Sequence, residues 1–98
     1  MASEELQESW RRTTAYLRDL RAHLSEAAEG ICSDEIAKFE DYLDHNELEL
    51  ALDEVEAAVE KSGLESSRVY ELMVLAAEEM KLNRHGERYR ETIKRRWP

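Results

Sequence analysis

Apolar residues return every three, four or seven positions along this chain. Leu6, Trp10, Leu17, Leu20 and Leu24 open the series, and Tyr89 and Ile93 close it. That is the period of an α-helix with one face turned to a core, and no segment alternates with the two-residue period of a strand. Only three Gly and one Pro punctuate the 98 residues, and the abundant Ala, Leu, Glu and Arg favour helix. Charged residues reach 38%, but the apolar 42% is spaced too regularly for a disordered chain. The expected fold is all-α: a compact antiparallel bundle of about five helices joined by short loops, with residues 1–98 forming one domain.

The stop and start signals divide the chain as follows. The first helix is expected from Ser3 to Glu29, with Thr13 and Thr14 interrupting its apolar stripe and Gly30 ending it. A second, Asp34 to Asp44, takes Ser33 as N-cap and turns Ile36, Phe39 and Leu43 inward. The third starts at Asn46 as N-cap, with Glu49 placed to complete a capping box, and ends at Gly63. A fourth spans Ser66 to Leu82. Asn83-Arg84-His85-Gly86 reads as the next break, and the fifth helix runs from Glu87 to Arg96.

Charge is spread unevenly over this frame. Residues 33–62 hold eleven Asp and Glu against Lys38 and Lys61, a balance of −9 that equals the formal charge of the whole chain. Glu49, Asp53, Glu56 and Glu60 follow one another at steps of four, three and four, so they share one side of the third helix. Like charges at that spacing cost about 0.2–0.5 kcal/mol per pair. A sequence shaped only for stability would interleave Lys, as the first helix interleaves Arg11, Arg12, Arg18 and Arg21. Self-repulsion of this kind has a use if the field steers a basic partner. The Lys81 to Pro98 segment is the counterweight, with seven basic and two acidic residues. It reads either as a nucleic-acid contact or as internal neutralisation of the acidic belt. The net field of the chain opposes nucleic acid and anionic membranes, so binding to neither is expected.

Other chemistries have weaker signals. Asp41, Asp44, His45 and Glu47 cluster at a turn, but the chain lacks HExxH, CxxC and calcium-loop patterns, so no metal or other cofactor is expected. No nucleophile elbow or phosphate loop is present, and no enzymatic activity is expected. Cys32 is the single cysteine and reads as a buried thiol. No run approaches the roughly 18–20 apolar residues of a membrane span, and Met1 to Leu6 is acidic where a signal peptide would be apolar. A reduced, cytoplasmic protein is expected.

The stretch from Phe39 to Asp53 contains Tyr42-Leu43-Asp44-His45-Asn46-Glu47 followed by Ala51-Leu52. It resembles the hydrophobic–x–x–Tyr/Leu–Leu/Ile–x–His–x–Glu–x–x–x–Ala pattern of small helical immunity proteins from bacterial polymorphic toxin systems, in particular the MafI-like and contact-dependent-inhibition immunity families. Leu72 to Leu82 resembles their following helix, so the likeness covers residues 36–82. His45, Glu47 and Ala51 are the positions that match.

The resemblance implies a stoichiometric inhibitor that neutralises a cognate toxin domain, often a nuclease, in the bacterial cytoplasm. The acidic helix pair would meet a basic surface on that toxin. Asp41, Tyr42, Asp44, His45, Glu47, Glu49, Asp53, Glu56 and Glu60 are the candidate partner-binding residues, with Tyr42 as an aromatic anchor. The protein is expected to be monomeric. The alternative is a helical adaptor or regulatory module, self-associating through an apolar edge of Leu50, Leu75 and Leu82.

Overall fold

In a computed structural model that describes residues 2–98, the chain forms six helices. They are α1 (Glu4–Arg21), α2 (Glu26–Ile31), α3 (Ser33–Asp44), α4 (Leu48–Ser62), α5 (Ser67–Glu79) and α6 (Asn83–Arg96). The all-α bundle is as expected, and no strand occurs among the described residues. The extra helix arises because the expected first helix is two. Ser25 caps α2 by accepting the Ala28 N–H at 3.1 Å, and the chain turns through Ala22, His23 and Leu24 to reach it. Leu24 is still buried. A leucine spacing that matches one continuous helix therefore serves the core from a turn.

Gly30 lies inside α2 rather than ending a helix. Thr13 does not interrupt α1; it is buried, and its hydroxyl donates to the Ser9 carbonyl one turn back at 2.9 Å. Ser33 is the first residue of α3, not its side-chain cap. Cys32 makes the corner between α2 and α3, and its buried thiol donates to the Ala58 carbonyl at 3.3 Å.

Three helix ends close in the same way. Asn46, Gly63 and Lys81 all have positive φ, at 56°, 71° and 59°. At each, the next residue's N–H reaches back five positions: Glu47 to Tyr42, Leu64 to Val59 and Leu82 to Ala77, at 2.8, 3.3 and 2.8 Å. This Schellman closure satisfies carbonyls that the helix end would otherwise orphan. Asn46 is thus the left-handed stop of α3 and not the N-cap of α4, which is Glu47 without a side-chain cap bond. The expected capping box with Glu49 does not form. Likewise the α5–α6 break falls at Met80–Leu82, and Asn83 to Gly86 are already helical.

In both hairpins the residue after the left-handed stop, Glu47 or Leu82, serves at once as N-cap of the next helix. Such tight connections force antiparallel neighbours. α3 packs on α4, α5 packs on α6, and α1 lies against α5 and α4. The result is a slab of 40 × 31 × 18 Å, thin enough for about two helix layers. Leu17, Leu20, Phe39, Leu52, Leu72 and Met73 are almost wholly buried at its centre. Each contributes about 1.5–3 kcal/mol of transfer free energy. Trp10 and Trp97 are half-buried against this core, Trp97 with its ring 5.8 Å from that of Tyr70. Among the described residues, no helix is long and apolar enough to cross a membrane.

Candidate functional site

The helical register of α4 decides which acids face outward. Leu48, Leu52, Val55 and Val59 fill the inner face, and Glu56 lies at its edge with only 9% of its surface exposed. Glu49, Asp53 and Glu60 continue that edge toward α6. The outward face carries Leu50 and Ala57, with Glu54 on the side nearer α3. Leu50 is 42% exposed, and Leu6 and Ile31 are likewise exposed elsewhere on the surface.

The four-residue stripe is therefore not one free surface. Glu56 turns into the seam between α4 and α6, where the Arg88 guanidinium pairs with it and the Tyr89 hydroxyl donates to its Oε1 at 2.6 Å. Asp53 meets His85 Nε2 at 2.9 Å across the same seam. These side chains do much of the joining of α4 to α6, whose backbones share few close approaches. Burial and the charge of Glu56 push the Tyr89 phenol far above its ordinary value, so it stays a hydrogen-bond donor. Glu56 thus leaves the set of candidate docking residues, for a physical reason: its carboxylate is spent inside. Burying it needed a cation and a donor, and α6 supplies both.

His85, Arg88 and Tyr89 are the residues that sequence reasoning did not assign to this site. Their spacing on α6, at i, i+3 and i+4, mirrors Asp53 and Glu56 at i, i+3 on α4. That complementarity was the available signal: the basic segment neutralises Glu56 through Arg88, and His85 meets Asp53 by a hydrogen bond.

The rest of the acidic belt sorts in the same terms. Glu35 pairs with Lys61 and Glu40 with Arg18. The Lys61 ammonium holds the Glu35 carboxyl below its ordinary value. Asp34, Asp44, Glu47, Glu49, Glu54 and Glu60 have no ion-pair partner among the described residues. Asp44 and Glu47 stand exposed on either side of the α3–α4 turn. Glu60 borders a shallow recess shared with Tyr70 and Arg96.

The turn itself is organised by backbone. The Tyr42 carbonyl accepts the Glu47 N–H at 2.8 Å, and the Tyr42 ring is half-buried against the core. His45 caps α3, with its Nδ1 2.8 Å from the Asp41 carbonyl and 3.6 Å from the Asp41 carboxylate. That backbone carbonyl, then the Asp41 charge, raises the His45 pKa above the ordinary histidine value. Of the residues matching the immunity-protein pattern, His45 and Glu47 are exposed at the turn and Ala51 is fully buried. The Asp41, Asp44, His45 and Glu47 cluster does not converge on a common point for a metal ion; among the described residues the group that does is Glu49, Asp53 and His85. On the apolar side, Leu75 and Leu82 lie partly buried against the core, so of the proposed apolar edge only Leu50 is well exposed.

No protein-family model, no curated protein and no solved structure matches this chain. The likeness to immunity proteins rests on the residues of the α3–α5 segment alone.

Proposed function

We propose that this protein is an immunity protein: a stoichiometric binder that neutralises a basic toxin domain in the bacterial cytoplasm by docking its α3–α4 hairpin on that domain. One observation carries the reading. Glu35, Glu40 and Glu56 pair with Lys61, Arg18 and Arg88, whereas Asp44, Glu47, Glu49 and Glu54 around the hairpin have no ion-pair partner among the described residues. Leu50 stands exposed among them. An apolar side chain ringed by unspent charge suits a protein interface, in which a desolvated anchor supplies affinity and the surrounding charges supply rate and specificity.

The docking set is accordingly narrower than the whole belt. Asp41, Asp44, His45 and Glu47 form its tip, Glu49, Leu50 and Glu54 its α4 flank, and Asp53 and Glu60 its margin toward α6. Tyr42 supports the turn from beneath. A nuclease is the partner class that fits best, because its phosphate-binding cleft is lined with Lys and Arg. The reading requires no catalysis, cofactor or nucleic-acid contact by this chain.

The direct biological test uses the reading frame immediately upstream. Its C-terminal domain is expected to be basic, to arrest growth when expressed alone, and to be tolerated when this protein is co-expressed. A neighbouring product that is not toxic, or toxicity undiminished by co-expression, would contradict the proposal.

A further inference from the structure

The seam between α4 and α6 brings together a donor set that the sequence keeps 32 residues apart. Glu49 and Asp53 are successive turns of α4, and His85 comes from the first turn of α6. Each offers one ligand atom, and these atoms lie within 4.8 Å of one another. The imidazole distinguishes this from a surface patch of acids. Its side chain is only 19% exposed, and its ring packs edge-on against Tyr89, with centroids 6.2 Å apart. That contact aims Nε2 at the Asp53 carboxylate, 2.9 Å away. Tyr89 is itself fixed by Glu56 beneath, so the nitrogen ligand is held by a buried support.

The electrostatics point the same way. Glu49 and Asp53 are like charges one helical turn apart, and neither has a Lys or Arg partner among the described residues. The nearby Arg88 is committed to Glu56. One imidazole nitrogen with two carboxylate oxygens is a borderline-hard set that suits first-row divalent metals, Zn²⁺ above all, better than Ca²⁺ or Mg²⁺. Metal–ligand bonds of about 2.0–2.2 Å place tetrahedral ligands about 3.3 Å apart. Both carboxylates are exposed and can rotate to meet that spacing, while the less mobile His85 sets the position.

We infer that Glu49, Asp53 and His85 form a binding site for a divalent transition metal of the Zn²⁺ type, which would bridge α4 and α6 and leave a coordination position open to solvent. The inference does not depend on the identity of any protein partner.

The test titrates Zn²⁺ alone into the chelator-stripped full chain by calorimetry, and follows the imidazole resonances by NMR. The expected result is one bound ion per chain, a higher melting temperature, and movement of the His85 resonances with those of His23 and His45 unchanged. His85→Gln, which retains a group able to hydrogen-bond Asp53, should weaken Zn²⁺ binding by about tenfold or more. Asp53→Asn should do the same, and His45→Gln should bind as the parent does. Circular dichroism in chelator verifies that each variant is folded. Absence of one-to-one binding by the parent, undiminished binding by folded His85→Gln, or movement of His45 or His23 instead of His85 would overturn the assignment.

Discussion

Tyr89 on α6 donates its hydroxyl to the Glu56 carboxylate on α4 at 2.6 Å, and both side chains are buried. The pair turns an acid of the negative belt into a structural fastener, with Arg88 supplying the counter-charge from the solvent side. Because α4 and α6 touch little through their backbones, the fastener matters for how the C-terminal helix is held.

Removing the phenol should show this. Tyr89→Phe keeps the ring packing and deletes a hydrogen bond to a charged acceptor, so it should cost about 1.5–3 kcal/mol in urea denaturation. Glu56→Ala should cost more than Tyr89→Phe, since it strands the buried hydroxyl and Arg88 together. Melting behaviour of both variants equal to the parent would mean that the seam contributes nothing to stability.

Two glycines should respond oppositely to alanine. Gly63 sits at φ 71°, where a side chain is strained, and Gly63→Ala should destabilise by about 1 kcal/mol. Gly30 lies within α2 with nothing within 4 Å of an added Cβ, and Gly30→Ala should stabilise by about 0.5–1 kcal/mol. Thermal melts of the two variants are sufficient; a loss at Gly30 would restore it as a helix stop.

The contrast between these glycines shows where the sequence was legible. Periodicity identified the apolar faces because a helix has one period wherever it lies, and Leu17, Leu20, Phe39 and Tyr89 are buried where expected. Ser66, expected as the first residue of its helix, is instead the N-cap one position ahead of it: its hydroxyl accepts the Val69 N–H three residues on, a wholly local bond. Asn46 was misread, because Asn suits both an N-cap and a left-handed stop, and the choice was settled by the long-range fit of the α3–α4 hairpin. Lys81 gave no sign at all: a lysine at positive φ is held there by closure of the α5–α6 hairpin. Glu56 looked like its neighbours in the stripe because only the register between α4 and α6 distinguishes it.

Acid should loosen the α1–α5 contact. Glu79 accepts from Arg12 Nε at 2.8 Å and from Ser9 at 3.1 Å, and the Arg12 hydrogen bond lowers its pKa from the ordinary 4.5. A folded-state pKa below the unfolded one gives stability that is present above about 4.5 and lost as pH falls through the folded value. Glu79→Gln should therefore flatten the fall in stability below pH 4.5, measured by urea midpoints across that range. A slope identical to the parent would remove Glu79 from the account.

His45 should titrate in the opposite sense. Its pKa is raised from 6.5, chiefly by the Asp41 backbone carbonyl, so the folded state favours the charged ring. Its contribution to stability is complete below 6.5 and is lost as pH rises through the folded value. An NMR titration should place the His45 midpoint above 6.5, and Asp41→Asn should lower it only in part, because the carbonyl remains. A midpoint below 6.5 would contradict the assignment of that hydrogen bond.

Unspent charge at the α3–α4 hairpin is proposed to dock a basic protein. Asp44→Lys with Glu47→Lys reverses two exposed acids that have no internal partner, whereas reversal at Glu56 would break the α4–α6 seam. The deciding measurement is calorimetric titration of the basic toxin domain proposed to be encoded upstream into the parent and into the double variant, at low and high salt. We predict one-to-one binding that weakens with salt, a loss of about tenfold or more in the double variant, and an unchanged melting temperature for that variant alone. Equal affinity of parent and variant, with no dependence on salt, would contradict the claim.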